Sequence, residues 1–229
     1  MSNDSFTHRA SRTFEDLSHP ERAGLTSAIV ADSLDAVGFR DQVVDEVLTG
    51  LTPNDRLFGR ASTIRFAPTE DDSEDPYGDA VRFIDGLQRG EVAVVATGGD
   101  RRTAYWGELF SAAALGRGAV GTICDGPVRD ASKVIALSYP TFSAGCRPID
   151  YRARMRVVDQ HRPVQLGGVV IRQGDLVLAD LDGVVVIPHG VETEVLGSAV
   201  RRASDEGKVL GALRAGARLA EVWQRWGVL

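Results

Sequence analysis

An α/β fold built around a parallel βαβ unit is what this sequence predicts, on three observations. Val92–Thr97 (VAVVAT) and Ala119–Cys124 (AVGTIC) are short apolar runs without alternation, the pattern of strands buried on both faces. Between them lies Glu108–Leu115, an Ala-rich stretch closed by Gly116 and Gly118, which reads as a crossover helix. Strands joined in this way run parallel, with a right-handed connection. At 229 residues, 43% hydrophobic and 25% charged, the chain is long enough to bury such a sheet without disulfide or metal staples.

The remaining elements follow in order. A first helix is expected from Pro20 to Val37, with Ser18 placed to cap it and Gly38 to stop it. Strand-like runs follow at Gln42–Leu48 and Leu57–Phe66. Ala67–Asp79 carries Glu70, Asp71, Asp72, Glu74 and Asp75 between Pro68 and Pro76, and reads first as a solvated acidic loop. A helix over Gly78–Leu87 ends near the Gly90 turn, and Asp125–Asp130 turns into a helix at Ala131–Leu137. Strands are expected at Met155–Val158, Val169–Ile171, Leu176–Ala179 and Val184–Ile187, turned by Gly174-Asp175 and Asp182-Gly183. Helices at Val191–Ala215 and Leu219–Trp226 close the chain. The organisation is thus a polar segment 1–19, an α/β domain 20–218 and a helical tail 219–229.

Composition narrows the function. With 26 basic against 32 acidic residues the net charge is −6, which gives no general field for nucleic acid. No apolar run is long enough for a membrane span, and MSNDSFTHRASRTFEDL lacks the apolar stretch of a secretory signal. Cys124 and Cys146 have no metal or redox spacing, so the expectation is a reduced, cytoplasmic protein. His8, His19, His161 and His189 are scattered without ligand spacing, and Cys124 reads as core. Dinucleotide, Walker A and G-x-S-x-G motifs are missing, and Trp106, Trp223 and Trp226 do not alternate with basic residues.

In a parallel sheet, ligands bind beyond the carboxyl ends of the strands. Topology therefore brings GGDRRTAYWGEL, after the first buried strand, to the same edge as DGPVRD, after the second. The first loop opens a helix whose amides at Gly107, Glu108, Leu109 and Phe110 suit a carboxylate or phosphate. The bland reading is that Gly107 eases the turn and Glu108 complements the helix dipole. In the second loop, Arg129 offers a planar fork for a carboxylate or enolate oxygen. Asp130 offers a hard oxygen for Mg²⁺, and Glu108 could hold one of the metal's waters. Here the bland reading has Asp130 capping the next helix and Arg129 in a surface pair.

The segment WGELFSAAALGRGAVGTICDGPVRDAS (Trp106–Ser132) resembles the family named after regulator of ribonuclease activity A. That family includes class II 4-hydroxy-4-methyl-2-oxoglutarate aldolases that also decarboxylate oxaloacetate. The resemblance runs from about Ser27 to Arg218. It is densest in GEL at Gly107–Leu109, DGxxRD at Asp125–Asp130 and GGVVIRQGDLVLADLDGVVVIP at Gly167–Pro188. It implies an αββα sandwich like a swivelling phosphohistidine domain, assembled as a homotrimer or hexamer with sites at subunit interfaces. It implies a divalent metal, Mg²⁺ or Mn²⁺, bound by Asp130, with Glu108 orienting a metal-bound water. Arg129 would hold the keto and enolate oxygen, and the amides of Gly107–Phe110 the pyruvyl carboxylate. Glu206 is the nearest match to an acid supplied by a neighbouring subunit, and Asp79 is a candidate contact to the distal half of the substrate.

The function expected on that resemblance is release of pyruvate from a 4-hydroxy-2-oxo acid or from oxaloacetate, with no Schiff-base lysine. Lys133 and Lys208, the only lysines, lie outside the buried strands. Two alternatives stand beside it: a non-catalytic regulator that binds a ribonuclease or another protein, and a lyase or dehydratase of a sugar acid using the same metal site. The resemblance associates loss of the Asp in the R-D pair with the regulators, and here Asp130 is present.

Overall fold

A computed structural model describes residues 12–227. The chain opens with α1 (His19–Gly24) and α2 (Ser27–Ala36), then β1 (Thr49–Gly50), the long β2 (Leu57–Pro68) and α3 (Gly78–Gly86). β3 (Glu91–Ala96), α4 (Glu108–Arg117), β4 (Gly121–Cys124), α5 (Ala131–Ala136) and β5 (Thr141–Ser143) follow. The last part contains β6 (Met155–Gln160), β7 (Val164–Leu166), β8 (Val169–Ile171), β9 (Leu176–Asp180), β10 (Gly183–Ile187), α6 (Glu192–Arg214) and α7 (Leu219–Trp226).

The main sheet has the order β1-β5-β4-β3-β2-β9-β10. β2, β3, β4 and β5 are parallel, as the βαβ reading requires, and β1, β9 and β10 join antiparallel. β2 is long enough to serve two partners on one side: Leu57–Arg60 pairs with β9, and Ile64–Pro68 pairs with β6 past a bulge at Arg65/Phe66. Burial explains the apolar runs. Val92 and Val94 face a core completed by the β7–β8 hairpin, with Leu166 and Ile171. Ala93 and Val95 face the opposite core, with Phe83, Ile84 and Ala114 of α3 and α4. A third cluster packs α2 and α6 on β9 and β10 through Val30, Leu34, Leu178, Val185 and Leu196. The result is a mixed α/β fold with a helical carboxyl end.

Three expectations change. The single helix Pro20–Val37 is two helices. Ser18 does cap the first, in a reciprocal capping box with Glu21, but Leu25 turns extended and Thr26 caps α2 by accepting from Ile29 N. The cause is distant in sequence: Arg56 donates to the carbonyls of Arg22 (2.6 Å) and Leu25 (2.7 Å), the acceptors a continuous helix would use itself. Gln42–Leu48 is not a strand. Val43 makes one bridge to Val185, through Val44 N to Val184 O and Val186 N to Gln42 O, and the next donor, Asp45 N, turns to Gly167 O, so the pairing goes no further. The segment ahead of α1 is more than a polar lead-in from Arg12 onward. Phe14 and Leu17 are buried, and Phe14 N donates to the buried Glu192 carboxylate at 2.8 Å. His8 lies outside the described residues.

Candidate active site

Because β3, β4 and β5 are parallel neighbours, their three following loops leave the same edge. The loops continue the sheet as single bridges: Ala104 with Asp150, Trp106 with Val128, and Val128 with Cys146. Backbone bonds stitch them together. Tyr105 N donates to Pro127 O (3.0 Å), Arg129 N to Trp106 O (2.8 Å), Ala104 N to Ile149 O (2.7 Å) and Arg147 N to Val128 O (2.8 Å). Side chains anchor the ends. Asp125, nearly buried, accepts from Thr97 N and Gly99 N; burial pushes its pKa up against those bonds. Burial also works on Asp100, but bonds from Arg102, Tyr105 and Thr103 prevail and hold it down at about 2.

A cavity of about 240 Å³ opens at this edge. It is bordered by the start of α4 (Gly107, Glu108, Leu109, Phe110), by Arg129 and Asp130, and by Asp150. Arg129 Nη1 donates to Asp150 Oδ2 at 2.7 Å, while its Nε lies 3.7 Å from Asp130 Oδ2. Asp130 stands at the head of α5 with φ 56° and ψ 31°, yet its side chain makes no capping bond. A left-handed backbone is tolerated by Asp better than by most residues. The capping explanation for this carboxylate therefore fails, and its oxygens border the cavity without a close partner. Glu108 pairs with Lys133 Nζ at 2.8 Å.

Gly107 has an extended backbone, φ −169°, that any residue could adopt. Space is what favours glycine: a Cβ there would sit 3.0 Å from both Arg129 Cγ and Asp130 Oδ2, so those two side chains would have to give way. The turn-easing explanation gives way to close approach. Gly107 also offers no capping side chain, so the first amides of α4, which have no partner within a helix, border the cavity uncapped.

The structure thus brings Gly107, Glu108, Leu109, Phe110, Arg129 and Asp130 to one cavity. It does not bring Asp79 there. Asp79 pairs with Arg82 (2.6 Å) and borders a separate depression with Asp71 and Asp75. Glu206 lies on α6, paired with Arg202, and this chain does not carry it to the cavity. Sequence reading missed Asp150 and the ring-bearing residues Tyr77, Tyr105 and Tyr151. The signal for Asp150 was β5: a strand parallel to β4 places its following loop at the same edge. Burial raises the phenols of Tyr77, Tyr105 and Tyr151, so this wall stays neutral at physiological pH.

Other candidates recede. Cys124 is buried core, its thiol pushed up by burial. His161 contacts Gln173, and His189 pairs with Glu192. Among the described residues no group of three or more His, Cys, Asp or Glu side chains forms a metal cage, and no helix is long and apolar enough to cross a membrane.

Comparison with known proteins places the chain in a family. The family model described as RraA-like, Aldolase/RraA, matches residues 27–186. A curated relative, Protein DlpA of Legionella pneumophila, is 28% identical over 195 residues, covering 85% of this chain and 31% of its own length. The chain therefore spans about a third of that relative. A protein of Halalkalibacterium halodurans named "Putative 4-hydroxy-4-methyl-2-oxoglutarate aldolase" is 29% identical over 185 residues, covering 80% of this chain and 81% of that one. The crystal structure of Streptomyces coelicolor RraAS2, titled an unusual member of the RNase ES inhibitor RraA protein family, superposes with a TM-score of 0.72 at 28% identity. It covers 83% of this chain and 96% of its own.

Proposed function

Since the chain belongs to the RraA-like family, we propose that it is a carbon–carbon lyase that releases pyruvate from a 4-hydroxy-2-oxo acid or from oxaloacetate. The observation that carries this reading is the juxtaposition of Arg129, uncapped Asp130 and the uncapped start of α4 across a glycine whose Cβ would fill the gap.

The chemistry asks for stabilisation of one developing charge. In a 4-hydroxy-2-oxo acid the C3–C4 bond breaks as the 4-hydroxyl loses its proton. C4 departs as a carbonyl, and the electron pair passes into C2–C3 to leave the pyruvate enolate, which takes a proton at C3. Oxaloacetate loses C4 as CO₂ and leaves the same enolate. The α4 amides bind the C1 carboxylate. The Arg129 fork, held in place by Asp150, donates to the 2-oxo oxygen as it becomes anionic. Glu108, paired with Lys133, orients the water that takes up the hydroxyl proton.

The donor set fits a hard divalent cation. Asp130, whose carboxylate makes no capping bond, would hold it directly and Glu108 through water, a sparse set of carboxylate ligands that Mg²⁺ or Mn²⁺ accepts when water fills the other positions. Such an ion would supply Lewis acidity to the 2-oxo and carboxylate oxygens. The same reading makes the assembly a trimer or pair of trimers, with an acid such as Glu206 supplied by a neighbour.

Pyruvate release from oxaloacetate, with Mg²⁺ and then with EDTA, corrected for the metal-only background, tests the proposal. Turnover that EDTA removes and Mg²⁺ restores is expected. No turnover on oxaloacetate, on 4-hydroxy-2-oxo acids or on sugar acids, joined to inhibition of a ribonuclease, would sink it in favour of the regulator.

A further inference from the structure

Arg129 has an acid on either side and is tied to only one of them. Its Nη1 donates to Asp150 Oδ2 at 2.7 Å, whereas its Nε stands 3.7 Å from Asp130 Oδ2. Asp130 is its neighbour in the chain, so that second contact is the easier one to close. A movement of about 1 Å would make it a charge-assisted hydrogen bond. The Asp130 carboxylate would then be neutralised next door and lost to any other cation.

Asp150 opposes this from a fixed position. Arg152 N donates to its Oδ1 at 2.8 Å, Arg154 Nη1 to its carbonyl at 3.2 Å, and Ala104 N to the carbonyl of Ile149 at 2.7 Å. Both carboxylate oxygens are therefore used, one by its own loop and one by Arg129. Asp150 is also the more enclosed acid, with its side chain 25% exposed against 44% for Asp130, so its hold on Arg129 is screened less. Among the described residues Asp130 has no capping bond and no ionic partner nearer than the 3.7 Å contact.

We infer that Asp150 is a positioning residue: it draws Arg129 aside and so keeps the Asp130 carboxylate open to a divalent cation. The inference rests on Asp130 being the cation ligand. A cation there sets a like charge beside Arg129, and Asp150 is the counter-ion that keeps the guanidinium in place for the substrate. Every contact invoked lies within one chain.

Mn²⁺ binding to the full-length protein, followed by loss of the free-ion signal in electron paramagnetic resonance, tests this without turnover. Asp130→Asn is expected to abolish tight binding. Asp150→Asn keeps the side-chain volume but has one oxygen for two donors, and is expected to weaken binding about tenfold while Arg129 is present. In an Arg129→Ala background the same change is expected to stay within about twofold, because no guanidinium is left to close on Asp130. Asp150→Ala, with neither oxygen, should show the same dependence on Arg129. Arg129→Ala alone, which leaves Asp150 untouched, is expected to bind Mn²⁺ at least as tightly as the unaltered chain.

Equal weakening with and without Arg129 would overturn the inference, since lost negative charge acts whether or not the guanidinium is there. So would Asp130-dependent binding that ignores both changes at Asp150, or weaker binding in Arg129→Ala alone. Binding that survives Asp130→Asn, or none in the unaltered chain, would remove the cation site and this inference with it. Mn²⁺ binding that behaves as expected, with no pyruvate release from any substrate, would refute the lyase and leave the role of Asp150 standing.

Discussion

Two regions of this protein are rich in carboxylates, and they differ in what the fold does with them. The loop between β2 and α3 has the dense run, Glu70 to Asp75, yet its acids meet solvent or single surface arginines: Asp72 pairs with Arg152 and, at the start of α3, Asp79 pairs with Arg82. The edge beyond β3, β4 and β5 has its acids spread over forty-odd positions, Glu108, Asp130 and Asp150, and gathers them around one guanidinium and one cavity. Charge density along the chain marks a solvated surface, whereas position at the carboxyl ends of parallel strands marks a site.

The comparison breaks most visibly at Asp130. Asp130→Asn keeps the side-chain volume and a residue type at home with φ 56°, so the melting curve should move by no more than about 0.5 kcal/mol. Metal-dependent pyruvate release should fall by roughly a thousandfold or more, about 4 kcal/mol. Full activity with unchanged Mg²⁺ affinity would remove Asp130 from the site. Next in size, Arg129→Ala should cost about a hundredfold to a thousandfold in kcat, the range for a lost donor to a developing oxyanion. Arg129→Lys should recover only part, because the ammonium lacks the fork that Asp150 and substrate share. Gly107→Ala sharpens the same point. Its backbone suits alanine, so a loss of roughly tenfold in kcat/KM at unchanged stability would isolate the crowding of Arg129 and Asp130.

Much of this edge was legible before any coordinates, and the missing parts share a cause. Val92–Thr97 and Ala119–Cys124 read as strands buried on both faces because nothing polar interrupts them, and the crossover between them put Gly107 beside Arg129. Asp150 went unseen because β5 is only Thr141–Ser143, too short to display a period. The break between α1 and α2 depends on Arg56, more than thirty residues away, which no local propensity reports. Gly107 was visible as a glycine, but its reason is a neighbour's side chain, and the left-handed backbone of Asp130 has no signature in the letters around it. Local pattern gave the strands; contacts made across the sheet gave the site its details.

The smallest expected effect is the most discriminating for the acidic loop. Asp72 and Arg152 are each more than half exposed, and a pair of that kind contributes about 0–1 kcal/mol. Asp79 and Arg82 are similarly open, at 55% and 67%. Asp72→Asn and Asp79→Asn should therefore each leave kcat/KM within about twofold, since neither acid borders the cavity and screening weakens its field there. Added salt should erase whatever remains. A tenfold loss in Asp79→Asn, persisting at high salt, would mean that the loop reaches the substrate's distal half when substrate is bound. The two carboxylate regions would then be one site, and the cavity would close against an acid rather than open to solvent.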